Sequence, residues 1–207
     1  PKSFARSRTA SASFAASIGM DAKASLAGGN IYAYGGARTR VVSPDGIPPL
    51  RDQVTDYLGD HGGAAYANAL YVIAGGGNNA RDTLDAIGTG EVPILRTMLV
   101  EAHRYATDVG RMVDRLQAAG AEHIVVWNTP DISRAPAVIA GGDLAVGLAA
   151  KVAGSMNSAL SKRLEVTVYR EGQVATIVFS GGDVIEPLKT RKAAAGDRKA
   201  GTSVRAW

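Results

Sequence analysis

Hydrophobic and polar positions along the chain follow two periods, one typical of strands and one typical of helices. The wholly apolar runs 69–74 and 123–127 stop at glycines or at Asn-Thr-Pro, which is typical of buried parallel strands. Apolar residues at helical spacing predict long helices over 93–119 and 142–164. The remaining expected elements are a first helix over 9–19, a strand over 31–34, a helix over 50–59, and strands over 166–169 and 174–179 paired as a hairpin.

The alternation of strands with helices predicts an α/β fold around a parallel sheet, with helices on both faces. In the helix over 93–119, Leu95, Leu99 and His103 are expected to lie on one apolar side. The same side is expected to include Val109, Met112, Val113 and Leu116. Gly120 follows it as a natural cap. We expect a single domain over 1–188 and a basic, flexible tail over 189–207.

The amino-acid composition excludes several classes of protein and of functional site. The 207 residues are 46% hydrophobic and 20% charged, with a mean hydropathy of zero, and no apolar run is long enough to span a membrane. The chain has no cysteine, which excludes disulfides and thiolate ligands, and its three histidines are too far apart to suggest a metal site. We therefore expect no metal and no cofactor.

The net charge of +4 is unevenly distributed. Residues 1–20 contribute +3 and residues 189–207 contribute +5, which leaves residues 21–188 at −4. The basic character therefore belongs to the ends of the chain. Because a nucleic-acid-binding protein is expected to carry its positive charge on a folded face, this distribution predicts no nucleic-acid partner.

Three loops follow the predicted strands, at 34–39, 75–79 and 128–131. Ligands of open α/β sheets bind outside the carboxyl ends of the strands. A glycine there lets a backbone N–H face a ligand, and Asn78 can add a side-chain amide, so Gly36 and Asn78 are candidate donors of an oxyanion hole. The alternative is that both loops are simply tight turns that open helices. Neither standard glycine motif for nucleotide phosphates is present.

The segments NIYAYGGART (30–39), LYVIAGGGNNARD (70–82) and HIVVWNTPDISRAP (123–136) resemble the SGNH, or GDSL-type, hydrolase superfamily. The resemblance covers roughly residues 10–165. It implies a three-layer α/β/α sandwich with a central, mostly parallel, flavodoxin-like sheet. It also implies hydrolysis of short-chain carboxylic esters through a serine acyl-enzyme, with the oxyanion held by the Gly36 N–H and the Asn78 side chain.

Two blocks of that family are absent. Residues 1–29 hold no GDSL-like serine block, and the last histidine is His123, with Glu186 where the base would follow Asp183. One hypothesis is an esterase that uses another serine, from 3–17 or Ser43, with His61 or His103. A second is a truncated, weak or inactive SGNH-like domain. A third is a module that binds acyl or carbohydrate ligands without turnover.

The expected partners follow from these hypotheses. A small-molecule ester is the expected substrate, with no nucleic acid and no membrane span. A sheet that lacks its first strand would leave an edge open to pairing, so we also expect a homo-oligomer. The sequence does not predict a cellular compartment.

Overall fold

The computed structural model describes residues 15–17, 19, 23–171 and 175–179, with side chains up to residue 164. The chain divides into two compact units, Pro1–Ala64 and Ala65–Trp207, and each is described by itself. The single domain over 1–188 therefore stays a prediction. Residues 15–17 form a helical turn. The rest of the expected first helix, apart from residue 19, and the whole tail over 189–207 lie outside the described residues.

The first unit is built around helix α1, Leu50–Asp60, which confirms the helix predicted over 50–59. Pro49 precedes its first residue in an extended conformation. The strand expected over 31–34 is wrong, because Ile31 makes only an isolated bridge with Ala24. Tyr32 instead packs against α1: its ring lies 5.5 Å from that of Tyr57, and its hydroxyl donates to Asp60 Oδ2 at 2.8 Å.

The second unit contains a three-stranded parallel sheet. Its strands are β1 (Leu70–Ile73), β2 (His123–Trp127) and β3 (Ala175–Phe179), in the order β1-β2-β3. Leu70 pairs with His123, and His123 pairs with Ala175. Mixed helix and strand around a small parallel sheet confirms the α/β class. β1 is less buried than its apolar sequence suggested, because only Ile73 is fully buried.

The described part of this unit also contains the α-helices α2 (Gly77–Gly88), α3 (Ile94–Ala118), α4 (Pro136–Ile139) and α5 (Gly142–Glu171). The core lies where α3 packs against α5, with buried residues at helical spacing on both. On α5 they include Val152, Met156, Leu160 and Leu164, whereas Leu144, near the start of the helix, is 77% exposed. Gly120 ends α3 with φ +108, and the Ala121 N–H donates to the Leu116 carbonyl at 2.9 Å. The predicted glycine cap is therefore confirmed.

The apolar side expected for the first half of α3 is wrong. Leu95 and Leu99 are 69% and 58% exposed, and His103 is exposed. The buried row begins instead at Met98 and Ala102, and the four residues expected further along the helix join it. Two apolar rows lie side by side on this half of the helix, and packing against α5 selects one of them.

The strand expected over 166–169 is also wrong, because α5 runs through it to Glu171. No glycine or proline stands between Leu164 and Glu171 to end the helix, and the first is Gly172. The strand expected over 174–179 is confirmed as β3. It pairs in parallel with β2, so the expected hairpin is wrong as well.

Candidate functional site

The loop after β1 passes into α2 through a glycine turn that leaves no room for a side chain. Gly76 has φ +106, and its carbonyl accepts the Ala80 N–H at 2.8 Å, which closes the first turn of α2. A Cβ atom on Gly76 would overlap the Thr129 hydroxyl and lie 2.8 Å from Tyr105 Cε2. Both the backbone conformation and this close packing therefore require glycine.

Tyr105 lies directly beneath that turn. Its side chain is 1% exposed, and its hydroxyl donates to the Gly75 carbonyl at 3.4 Å. Burial raises the pKa of Tyr105 to about 12. Tyr105 is therefore a neutral, fixed support for the loop at neutral pH.

The loop after β2 is held by α5. The Asn157 side chain accepts the Thr129 N–H at 2.8 Å and donates to the Thr129 carbonyl at 3.0 Å. Thr129 is 2% exposed, so both backbone groups are shielded from water. The carboxyl ends of β1 and β2 are thus joined by a polar cluster of the buried Tyr105 and Thr129 and the half-buried Asn157.

A cavity of about 710 Å³ opens beside this cluster, between α2, α4 and the start of α5. On α2, Gly77, Arg81 and Asp85 recur at four-residue spacing along one wall. The facing wall is apolar and includes Ile132, Val138, Leu144 and Leu148. Gly77 places one end of this cavity at the start of α2, in the loop region that follows β1.

Gly36 and Asn78 lie in different units. Gly36, in the first unit, has φ +86, and its carbonyl accepts a hydrogen bond from the buried Arg38 side chain at 3.1 Å. Asn78 is the second residue of α2, in the second unit. The positive φ agrees with the glycine turn expected after 31–34. Their joint use as oxyanion donors stays a prediction.

Two other predicted catalytic candidates, Ser43 and His61, have structural partners of their own. His103 is exposed on α3, and the candidate serines at 3, 7, 11 and 13 lie outside the described residues. The Ser43 Oγ accepts the Ile47 N–H at 2.9 Å within a buried turn. The His61 ring stacks on Tyr57 with centroids 4.3 Å apart, and its Nδ1 lies 2.7 Å from the Tyr57 carbonyl oxygen. In the described part of the chain, no three acidic or histidine side chains are grouped to hold a metal ion. Nor is any helix there long and apolar enough to cross a membrane.

Sequence reasoning missed a row of arginines on α3. Arg96, Arg104, Arg111 and Arg115 are all exposed. We call these four residues the arginine row. The spacings of seven and four residues place Arg104, Arg111 and Arg115 on one helical face, and this pattern was visible in the sequence. The arginines were overlooked because the helix was interpreted from the apolar side expected through Leu95 and Leu99.

Comparison with known proteins changes the functional interpretation. No family model matches the chain. Fifty-three residues, 26% of the chain, are 47% identical to the B subunit of DNA topoisomerase 4 from Salmonella typhimurium and from Salmonella typhi. The corresponding identity to the Escherichia coli protein is 45%. The similarity is to a DNA topoisomerase. The chain covers only 8% of the length of each of these relatives.

This similarity corrects several expectations. Hydrolysis of short-chain carboxylic esters by an esterase or lipase is wrong, as is its alternative of an inactive SGNH-like binding module. The expected ester substrate and the expected absence of a nucleic-acid partner are wrong too. Glycine-ended strands recur in many parallel sheets, so such turns do not carry a reaction with them. The matched relatives are subunits of an enzyme. This supports the general expectation of an enzyme, but it does not support an ester hydrolase. Self-association stays a prediction.

Proposed function

We propose that the chain acts on DNA, as part of an enzyme related to the B subunit of DNA topoisomerase 4. The observation that carries this proposal is the 47% identity over 53 residues. An identity of this level over a segment of that length is informative about ancestry, whereas the fold class alone is shared by proteins of many functions. The short coverage of the relatives limits the proposal to DNA association and leaves the complete reaction to the longer proteins.

The charge of the chain supports a polyanionic partner. Its calculated pI is 9.4, and residues 189–207 alone contain six Lys or Arg residues against one Asp. Lysine and arginine bind DNA chiefly by neutralising phosphates and releasing condensed counterions. The surplus of positive charge therefore favours DNA over an uncharged or basic partner.

Fluorescence anisotropy with a labelled DNA duplex of about 30 base pairs tests the proposal, at salt concentrations from about 50 to about 200 mM. We expect saturable binding whose logarithmic association constant falls linearly with the logarithm of the salt concentration. Two duplexes of unrelated sequence should bind with similar affinity, because phosphate contacts do not read bases. An excess of a neutral polymer should not compete, and an excess of unlabelled duplex should.

A lack of binding at the lowest salt would refute the proposal. Binding that does not weaken as salt is added would also refute the proposal, because counterion release makes every phosphate-dominated complex sensitive to salt. Circular dichroism of the same samples verifies that the protein is folded. The matched control is the protein at high salt, where its helical signal should be unchanged while DNA binding is lost.

We propose a finer architecture separately from the activity. The parallel order β1-β2-β3 and the helices between the strands support a three-layer α/β/α sandwich of the SGNH type. The resemblance of residues 30–39, 70–82 and 123–136 to that superfamily points the same way. An experimental structure that places helices on only one face of the sheet would contradict this architecture.

A further inference from the structure

The arginine row occupies the solvent face of α3, a helix of 25 residues. With 3.6 residues per turn, Arg104, Arg111 and Arg115 fall within a sector of about 40° opposite the buried Val113, whereas Arg96 lies about 80° from Arg104. Along the helix axis, Arg104 and Arg111 are separated by about 10 Å, and Arg111 and Arg115 by about 6 Å. The row therefore forms a linear track of guanidinium groups on a rigid support.

The acidic residues of α3 only partly neutralise this track. Glu101 forms an ion pair with Arg104. Asp114 is engaged by Arg163 of α5. The buried Asp108 lies four residues after Arg104 and three before Arg111, on the same side of the helix. Among the ion pairs between described residues, none involves Arg96 or Arg111. With four arginines against three acidic residues, α3 keeps a formal charge of +1, although residues 21–188 as a whole are negative.

Arginine suits one partner chemistry in particular. Its planar guanidinium carries donors arranged to grip phosphate oxygens in pairs, and it remains charged at any physiological pH. A straight row of such groups matches the regularly spaced phosphates of a nucleic-acid backbone better than it matches a compact anion. The length of the row, about 28 Å from Arg96 to Arg115, exceeds what a single small ligand would span.

We infer that the arginine row is a contact surface for the DNA phosphate backbone. This inference rests on the proposed function and adds to it the folded surface that meets DNA. The row contacts phosphates rather than base edges, so the contact is independent of base sequence. The basic segment 189–207 is a competing location for the same contact, and the experiment separates the two.

The test compares variants in the anisotropy titration described above. The triple variant Arg104→Gln, Arg111→Gln, Arg115→Gln removes three charges from the row. Each phosphate contact contributes about 0.9 to the salt slope, so the slope should fall by about 2 to 3 and the affinity at about 100 mM salt by at least about tenfold. The single variant Arg111→Gln should lower the slope by about 1.

The matched control removes the same charge elsewhere. Arg51→Gln, Arg134→Gln and Lys151→Gln together change three exposed cations on α1, on the turn after β2 and on α5. We expect this control to change the affinity less than about twofold, because it leaves all four residues of the arginine row in place. A further variant without residues 189–207 measures the share of the basic segment. Circular dichroism verifies the fold of all variants.

The outcomes are distinct. If the intact chain does not bind DNA, the proposed function fails. If the intact chain binds and the triple variant binds like the control, the arginine row is not the contact surface and only the inference fails. The inference would also be overturned if removal of residues 189–207 abolished all binding while the triple variant bound DNA normally. A larger loss in the triple variant than in the control supports it.

Discussion

Gly76 joins β1 to α2 with φ +106, directly above Tyr105 and Thr129. We expect Gly76→Ala to lower the free energy of unfolding by about 1–3 kcal/mol, because alanine is strained at this φ and its methyl group would overlap both neighbours. Urea unfolding followed by circular dichroism measures the change. Gly147→Ala is the matched control: it lies within α5 with open space around it and should be neutral or stabilising. Equal losses in both variants would contradict this account of Gly76.

Ionisation of the Tyr105 hydroxyl makes the free energy of unfolding depend on pH in the alkaline range. In the folded protein its pKa is raised from 10.0 to about 12 by burial, so between these values the unfolded chain loses the proton and the folded chain keeps it. Its contribution to stability is complete below pH 10 and declines as the pH rises to about 12, by about 2–3 kcal/mol in total.

The variant Tyr105→Phe tests this dependence through unfolding experiments at a series of alkaline pH values. Since phenylalanine does not ionise, the variant should lose less stability above pH 10 than the unmodified chain. The pKa of Tyr32 is also raised to about 12, by its partial burial and the neighbouring Asp60 carboxylate. Because solvent screens that site, Tyr32→Phe should alter the pH dependence less. Parallel pH profiles for the Tyr105 variant and the unmodified chain would disprove the prediction.

At the scale of elements, α3 and α5 are fastened together where the Arg163 side chain crosses Gly110 to reach Asp114. A Cβ atom on Gly110 would lie 2.7 Å from Arg163 Cγ. We expect Gly110→Ala to destabilise the protein by about 1 kcal/mol, because the arginine must leave its path over the glycine and gives up the ion pair.

A double-mutant cycle isolates this contact. In the Arg163→Ala background the obstacle is gone, so Gly110→Ala should become neutral or stabilising through the better helix propensity of alanine. The coupling free energy from urea unfolding of the four proteins is the measured quantity. Additive effects would show that Gly110 is required for another reason.

The elements differ in how far the sequence could predict them. The bounds of α1, the extent of α3 and the strands β1 and β2 follow from local apolar periodicity and from the glycines and prolines that end it. The strand expected over 166–169 failed because Val166 and Val168 alternate as in a strand, yet nothing stops the preceding helix. The buried face of α3 depends on contact with α5, which no local pattern contains.

At the scale of the molecule, the second unit has its own core, since Tyr105, Met112 and Leu160 are all buried within it. A protein of residues 65–207 should therefore unfold cooperatively on its own. Thermal unfolding followed by circular dichroism at helical and aromatic wavelengths tests this expectation. Absence of a cooperative transition would show that the core needs residues of the first unit.

The sequence could predict where the candidate site lies but not which residues from other helices complete it. The sheet topology puts the loops after β1 and β2 together, and the glycines at 75–77 mark the first of them. Tyr105 and Asn157 arrive from helices about 30 residues beyond those loops, and only the three-dimensional structure brings them to Gly75 and Thr129. The arginine row was readable from its spacing alone. The DNA contact that we propose for it rests on the similarity to DNA topoisomerase, which the spacing of the arginines does not contain.

The parallel order β1-β2-β3 has a consequence for the path by which the chain folds. Leu70 meets His123, and His123 meets Ala175, so each strand pairing closes a loop of about fifty residues before any ladder hydrogen bond forms. The helices need only neighbouring residues and form far sooner. The sheet is thus the slow step of refolding, and β2, which both of its neighbours require, is where a substitution slows refolding most.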